Sequence, residues 1–522
     1  MFAGGDTPAF APLLGVVLTL GGCAVGPDFS TPEAAVPKTW SAADDPHVAT
    51  RTAADQLWWK VFNDSTLDRL IEIASRQNLP LQIASIRILE ARARLAVATG
   101  QQFPQHQELF ASATAVGLSQ NAPYARNLPR HFGDYQLGFD AAWELDLWGK
   151  YRRGVEAETA GMLASIADYY GALVSLIAEV ARTYVTIRTS EVLIERVEEN
   201  VRLQEEALAI AESRYQNGAT SELDPSQATT LLNSTRASIP PLQTGLQQAR
   251  NALSTLLGQP TGAVTALLAG PKEIPKAPAK VAVGMPAELL RRRPDIRSAE
   301  LIAAAQCARI GVAKADLYPS FSLVGTVGLE TSSGGATPHE PLSIDSVSYS
   351  VGPQIHWAFL NYGRLTNAVR IQDARFQELL VGYRNVVLKA AQEVEDALTG
   401  FLRAQDAVAF EQSAVKSARR SMEIAVVEYR EGAADYQRVL DAERSLLEQQ
   451  TNLTQTTSSI ATYLIALYKA LGGGWELRQG QPVLLEQTRH EMQERTDWGD
   501  MLPRPRAPEP QRGSAGPRPT GS

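Results

Sequence analysis

The chain has 522 residues, of which 44% are hydrophobic and 20% are charged, and its formal net charge at pH 7 is −8. This composition excludes a chain that is disordered throughout. It also gives no support to nucleic-acid binding, which calls for a basic patch on the protein. The length allows two or more domains, but a pattern shared by the two halves predicts one intertwined body.

An apolar run from Phe10 to Gly22 stands directly before Cys23. The run is too short to span a bilayer comfortably, and its position is typical of a bacterial lipoprotein signal peptide. We therefore expect residues 1–22 to be removed and Cys23 to carry the lipid. The alternative is a plain secretory signal with an incidental cysteine, and the lack of Lys or Arg before the run leaves the true start of the chain open.

Residues 23–62 show little periodicity and predict an extended, lipidated tether. The next stretch, residues 67–100, predicts a helix that is interrupted at Pro80. Residues 108–118 then predict a strand, although their alternation of apolar and polar side chains is poor.

Residues 135–145 alternate strictly between apolar and polar side chains, which predicts a strand with one apolar and one polar face. A strand of about ten residues with a polar inner face and an aromatic end is typical of transmembrane β-barrels. The turn Trp148–Gly149–Lys150 follows, and the proline-free residues 151–215 then predict a helix of roughly 100 Å. The apolar positions of the strand are Tyr135, Leu137, Phe139, Ala141, Trp143 and Leu145.

The chain then turns back on itself. Residues 218–224 break the helical pattern, and Pro225 suits the first turn of a returning helix. Pro240 and Pro241 predict a kink in that returning helix. Residues 263–283, with Gly and several prolines, predict the linker between the two halves.

The second half repeats the first at an offset of 214 positions, which carries Trp143 onto Trp357. A period this long predicts a duplicated half-domain rather than a solenoid. We assign the two structural repeats to residues 63–262 and 284–476 and a C-terminal tail to residues 477–522. The tail becomes charged from Glu486 and is then rich in Pro, Arg and Gly, which predicts disorder.

The predicted inventory is therefore four strands and two long helical hairpins per chain. Four strands cannot close a barrel with a lumen, and an open sheet edge is not tolerated in lipid. Three chains would supply twelve strands, which lies within the range of known barrels. The sequence thus predicts a mixed α/β membrane protein: a trimeric 12-stranded transmembrane β-barrel continuous with a long periplasmic coiled-coil barrel.

Four motifs are distributed over both halves of the chain: CAVGP at 23–27, LDRLI at 67–71, LLRRRPDIR at 289–297 and ARIGVAKAD at 308–316. They resemble those of the outer-membrane factor family, in its TolC-like, NodT-type lipoprotein branch. The resemblance implies a homotrimeric channel in the outer-membrane lipid with a periplasmic helical tunnel. It further implies a periplasmic adaptor and an inner-membrane pump, expected to be of the RND type, as partners in tripartite export.

The resemblance also implies that contacts between the hairpin turns close the periplasmic end. Asp224 and Tyr429 match the positions that link neighbouring hairpins, and Asp441 matches a lumen-facing acidic position. Asp435 and Arg438 belong to the same predicted gate, although Arg438 departs from the family pattern and leaves the details of the latch open. A ring of carboxylates at a constriction would favour cations. For each carboxylate the alternative is a solvated charge at a helix end.

Docking of the adaptor is implied at the turns themselves, Gly218 with Ala219 and Gly432 with Ala433. Related members carry Gly-Leu here, so the Gly-Ala pairs leave the type of adaptor open. The histidines show no metal-ligand spacing and no catalytic constellation is present, so we predict no metal, no cofactor and no enzymatic activity. The alternative function is a periplasmic coiled-coil lipoprotein that serves as a scaffold or adaptor without a pore.

Overall fold

The fold is taken from a computed structural model, which describes residues 24–33, 36–49, 57–119, 121, 129–284, 292–334 and 344–502. The predicted signal peptide at 1–22 and the predicted lipid-attachment residue Cys23 lie outside the described residues. The last part of the predicted tail, residues 503–522, lies outside them as well.

The described residues contain two sheets. Their strands are β1 (Val48–Ala49), β2 (His106–Gly117), β3 (His131–Leu145), β4 (Val281–Ala282), β5 (Ser320–Ser332) and β6 (Val347–His356). Strands β1 and β4 form a short parallel pair, and the other four strands form an antiparallel sheet in the order β2–β3–β5–β6.

The four-stranded sheet has one apolar and one polar face, as the alternation predicts. Phe139 pairs with Val327, and Val327 pairs with Tyr349, so these apolar side chains share a face. On the single chain they are exposed, up to 79% for Tyr349. The opposite face carries polar groups, and the Thr326 hydroxyl donates to Asp140 at 2.6 Å across two strands. An exposed apolar face of this extent requires a non-aqueous environment or a partner.

Most of the described chain is helical. The helices are α1 (Ser65–Gln77), α2 (Leu79–Gly100), α3 (Lys150–Gln216), α4 (Leu223–Ala237), α5 (Ile239–Leu256), α6 (Val264–Leu267), α7 (Pro294–Ala315), α8 (Arg364–Arg430), α9 (Tyr436–Ala470) and α10 (Glu486–Arg495). Helix α3 runs away from the sheet, and α4 and α5 run back along it, so that the three helices form the first hairpin. Helices α8 and α9 form the second hairpin.

The two long helices α3 and α8 are copies of one another. Each has 67 residues and therefore extends roughly 100 Å. Each follows a glycine with a positive φ, +77° at Gly149 and +80° at Gly363, because the chain must turn sharply from strand to helix. Neither helix contains a proline, so nothing in the backbone interrupts them. The internal repeat predicted from the sequence is thus present in the fold.

The main hydrophobic core surrounds the middle of the long helices. Helix α3 contributes a buried stripe, α8 and α9 close the core from the other side, and the ring of Trp58 stacks on Tyr468 with centroids 5.4 Å apart. A stretch of α3 is long and apolar enough to cross a membrane by length and composition, and 44% of that stretch is buried within the chain. Its apolar character is explained by this core.

Two helix breaks refine the sequence predictions. The interruption predicted at Pro80 falls at Asn78, whose side chain accepts a hydrogen bond from Leu81 N at 2.9 Å and caps α2. Pro80 lies in the first turn of α2, where its missing N–H has no helical partner to lose. The kink predicted at Pro240 falls at Ser238, between α4 and α5, because the proline ring cannot continue the preceding turn.

The predicted tether and linker are packed against the body of the protein. In the tether, Trp40 is buried and its indole N–H donates to Gly284 O at 2.8 Å, while Trp58 is fully buried. The linker contributes β4, which pairs with β1 of the tether, and Val264 in the core. In the described residues of both segments, regular structure consists of short elements, β1, α6 and β4 among them, yet their apolar side chains are buried against the body.

The tail also departs from the prediction of disorder from Glu486 onward. Helix α10 lies within it, and Met492 and Leu502 pack against Leu89 of α2. The composition of this segment is typical of a solvated tail, since charged side chains cover most of α10. A few apolar residues are nevertheless enough to hold the segment against α2. The correction applies to the described part of the tail, which ends at residue 502.

Candidate functional site: the hairpin tips

The two hairpins end in turns of the same geometry. In the first, Gly218 N donates to Tyr215 O at 2.9 Å and Ala219 N donates to Arg214 O at 2.8 Å. The second turn repeats both bonds at Gly432 and Ala433, at 3.0 and 2.8 Å. This is the Schellman arrangement, and it needs a left-handed residue after the helix, which explains glycine with φ of +72° and +79°. All four docking residues predicted from the sequence are exposed at these turns.

Asp224 and Tyr429, the predicted linking pair, are brought together. The Tyr429 hydroxyl donates to Asp224 Oδ2 at 2.9 Å, joining α8 of the second hairpin to α4 of the first. The Thr220 hydroxyl donates to the same oxygen. Asp224 lies in the first turn of α4, where the positive end of the helix dipole favours a carboxylate.

The side chain of Tyr429 is protonated at physiological pH. Burial raises its pKa to about 12, and the hydrogen bond to the Asp224 carboxylate acts in the same direction. The phenol therefore remains a hydrogen-bond donor over the pH range of a living cell. A charge-assisted bond of this kind is stronger than one between neutral groups.

Arg214 is a third member of the contact, and the sequence did not reveal it. Its guanidinium lies over the Tyr429 ring, with Cζ 4.6 Å from the centroid, and donates to the backbone carbonyls of Tyr429 and, at 3.3 Å, Arg430. A cation at the carbonyl end of α8 is favoured by the helix dipole. The sequence places Arg214 at the end of α3, but only the tertiary fold shows that its partners lie on the other hairpin.

The remaining gate residues predicted from the sequence lie apart from this contact. Asp435 caps α9 and accepts from Arg438 N at 3.4 Å. The Arg438 side chain pairs with Glu428 at 3.7 Å, and Asp441 accepts from the Gln437 amide at 3.0 Å. Asp435, Arg438 and Asp441 are all exposed on the chain. For Asp435 the geometry matches the alternative stated above, a solvated charge at a helix end.

A small hydrophobic core supports the tips. The rings of Tyr429 and Tyr436 meet edge to face with centroids 5.0 Å apart. Alanines of α3 and α4 pack against them, which lets the four helices approach closely. The cluster consists of Ala207, Ala211, Ala228, Leu231, Ala425, Tyr429, Tyr436, Val439 and Leu440.

The other end of α3 holds the start of the described chain. Val25 N donates to Trp148 O at 3.0 Å, directly after β3. A Cβ on Gly149 would come within 2.7 Å of Ala24, so glycine permits this close approach. The residue that follows Cys23 in the sequence is therefore fixed at the junction of sheet and helices.

The described residues contain no group of His, Cys, Asp and Glu that could hold a metal ion. Cys307 is buried in α7, burial raises the pKa of its thiol, and its sulfur lies 3.6 Å from Pro27 O. A buried thiol of this kind is a small packing group rather than a reactive one.

Comparison with known proteins gives the context of these tips. The family model described as "Outer membrane efflux protein" matches residues 70–259 and 285–473, one match in each half of the chain. Among curated proteins, the pyoverdine export outer membrane protein OpmQ of Pseudomonas putida is 32% identical over 81% of this chain and 89% of its own length. Nodulation protein T of Rhizobium leguminosarum is 30% identical over 88% of this chain and 96% of its own length.

Solved structures give the same result. The outer-membrane channel OprN superposes with a TM-score of 0.80 at 34% identity, covering 87% of this chain and all of that one. The open state of the Neisseria gonorrhoeae MtrE outer membrane channel superposes with a TM-score of 0.74 at 26% identity, over 87% and 99% of the two chains. The predicted fold class, a trimeric barrel continued by a helical tunnel, is confirmed, and the comparisons favour a channel over a poreless scaffold.

Proposed function

The chain belongs to the outer membrane efflux protein family, and we propose that the contact between its two hairpin tips is the gate of the channel. Its function is that of the outer-membrane channel component of an efflux system. The observation that carries the gate proposal is the hydrogen bond from Tyr429 to Asp224, supported by Arg214. The contacts between these groups join the first hairpin to the second, so the hairpins cannot separate unless these contacts break.

The proposed mechanism is passive. In the packed state each protomer holds its second hairpin against its first, and the three second hairpins narrow the periplasmic end. When an adaptor displaces the tips, the bond between Tyr429 and Asp224 opens and both groups become hydrated. Because a hydrogen bond to a charged group contributes about 1.5–3 kcal/mol, a partner that binds the separated state can offset its loss.

The adaptor would dock on the turns formed by Gly218, Ala219, Gly432 and Ala433. Their exposure supports this assignment, and so does their common geometry, since one adaptor surface could fit both turns.

We further propose that the pump in the inner membrane is of the RND type. Relatives in the family are named for different cargoes: pyoverdine export, cation efflux and toluene efflux.

Single-channel conductance in planar bilayers tests the gate. We expect Tyr429→Phe, which removes only the donating hydroxyl, to open the channel more often than wild type. The loss of about 1.5–3 kcal/mol in a protomer corresponds to an open-to-closed ratio roughly 10- to 150-fold higher. Asp224→Ala removes the acceptor and should act in the same direction.

Tyr215→Phe is the matched control. Tyr215 occupies the equivalent position of the first hairpin, where it is 45% exposed. The Tyr215→Phe channel should open as often as the wild-type channel. If Tyr429→Phe behaves like Tyr215→Phe, the gate lies elsewhere and the proposal is wrong.

We also propose that Cys23 carries the lipid anchor. The backbone bond from Val25 to Trp148 supports this, because it holds the chain beside the end of β3, where the apolar face of the sheet ends. An acyl chain on Cys23, two residues before Val25, could enter the same lipid layer. The measurement is incorporation of labelled palmitate in cells: Cys23→Ser should abolish labelling, whereas Cys307→Ser should leave it intact. Labelling that persists in Cys23→Ser would contradict the proposal.

A further inference from the structure

A seam of buried residues runs between α3 of the first hairpin and α9 of the second. On α3 its members follow a spacing of three and four residues, as in a coiled coil: Val197, Asn200, Gln204, Ala207 and Ala211. Two of these positions are polar. Asn200 donates to Gln450 Oε1 at 2.6 Å, which fixes how the two helices align. The seam joins the same two hairpins as the proposed gate.

Glu443 lies in this seam without a visible partner. It is 2% exposed, and neither carboxyl oxygen has a hydrogen-bond partner among the described residues. It stands two helical turns from Gln450 toward the tip, and Gln204 stands one turn from Asn200 in the same direction. Both polar atoms of Gln204 and the hydroxyl of Tyr436 are also buried and unpartnered in the described structure.

An ionised carboxylate in such a place would be costly, because water is excluded and no cation compensates it. Burial alone raises the pKa of Glu443 to about 8. The carboxyl group is therefore largely protonated at neutral pH while the hairpins are packed, and as an acid it can donate to a neighbouring oxygen.

The charged and titratable groups around the seam do not supply that cation. On its own helix Glu443 faces the Tyr436 phenol, beyond which lie Tyr429 of α8 and Asp224 of α4. Glu199 of α3 is paired with Arg419 of α8 at 3.0 Å. The phenols are neutral, and Asp224 would disfavour a second negative charge. Arg419 already pairs with Glu199, and Arg214 lies over the Tyr429 ring and donates to backbone carbonyls of α8.

We propose that Glu443 is a proton-dependent lock between the two hairpins, protonated while they are packed and ionised when they separate. The proposal rests on the proposed gating function, since it requires that opening exposes the seam between α3 and α9. It assigns a gating role to a side chain that touches neither the turn residues nor the bond between Tyr429 and Asp224 directly.

The direction of the pH effect follows from linkage. An exposed glutamate has a pKa of about 4.3, so between about pH 4.5 and 8 the packed state holds a proton that the separated state releases. Lowering the pH in this window favours the packed state, and raising it favours the separated state. In each protomer the ratio of separated to packed hairpins can rise by at most about tenfold per pH unit.

The experiment is the open probability of purified trimers in planar bilayers between pH 5 and pH 8. Wild type should open more often as the pH rises, and Glu443→Gln, which keeps the shape but cannot ionise, should stay mostly closed at every pH. Glu448→Gln is the control, because Glu448 lies on the same helix but is exposed, and it should titrate like wild type. If Glu443→Gln folds poorly, Glu443→Leu gives the same test with an apolar side chain.

Retention of the wild-type pH dependence in both Glu443 variants would overturn the proposal. So would a wild-type channel whose opening does not change with pH. The test is distinct from that of the gate, because it compares one variant across pH values. If Tyr429→Phe has no effect but Glu443→Gln abolishes the pH dependence, the tip contact is not the gate and the lock still stands.

Discussion

Arg188 lies almost fully buried in the centre of α3, with 1% of its surface exposed. Its guanidinium donates to the Tyr184 hydroxyl at 3.1 Å, to Glu191 at 2.8 Å and to Leu268 O at 3.0 Å. Tyr184 in turn donates to Asp64, which caps α1. Arg188 thus connects α3 to the linker at Leu268 and, through the Tyr184 hydroxyl, to the start of α1. The buried charge is tolerated because each neighbouring group pairs with it.

We expect Arg188→Met to destabilise the protein by about 3–5 kcal/mol, because it leaves Glu191 buried with only part of its compensation. Arg250 still reaches Glu191 at 2.8 Å, which favours the lower end of this range. The measurement is the midpoint of chemical unfolding of the detergent-solubilised protein, followed by circular dichroism.

Arg182→Met on the same helix is the control. Its ion pair with Glu179 at 2.8 Å is exposed, and exposed pairs contribute about 0–1 kcal/mol. Arg182→Met should therefore unfold close to wild type. Equal unfolding midpoints for Arg188→Met and Arg182→Met would show that the buried network does not contribute to stability.

At the scale of elements, the sequence predicts best what is set locally. Glycine at Gly218 and Gly432 predicts where the long helices end, because few other residues adopt the left-handed conformation of a Schellman turn. The lack of proline predicts the uninterrupted length of α3 and α8, and strict alternation predicts the two faces of β3. The offset between the halves then transfers each of these predictions to the second repeat.

The features that the sequence does not predict depend on contacts between distant segments of the chain. From the sequence alone, Arg214 is a basic residue in the last turn of a helix. Its position over the Tyr429 ring follows only from the packing of the two hairpins. In the sequence, Glu443 is one more charged residue on an amphipathic helix, and its burial follows only from the packing of the hairpins. In the tail, Met492 is a single apolar residue among charges, and its packing with Leu502 against Leu89 follows only from the tertiary fold.

For the whole molecule, the charges on the polar face of the sheet determine which ions the barrel favours. Register places Glu108 beside Asp140, and Asp140 beside Thr326, on the face opposite the apolar one. The four strands of this sheet contain no Lys or Arg within their described bounds. In a trimer each carboxylate recurs three times around the lumen. The acidic residues of the four strands are Glu108, Asp134, Asp140, Glu144 and Glu330.

Such a lumen attracts cations and repels anions, and low-dielectric walls strengthen the effect. We expect the reversal potential across a KCl gradient to show a preference for K⁺ over Cl⁻. The preference should grow as salt is lowered, because the screening length rises from about 10 Å at 0.1 M to about 30 Å at 0.01 M. Asp140→Asn combined with Glu108→Gln should weaken it, whereas Gln136→Asn, a neutral change on the same face, should not. An unchanged potential in the double variant would mean that charges in the helical tunnel, rather than those of the barrel, select the ions.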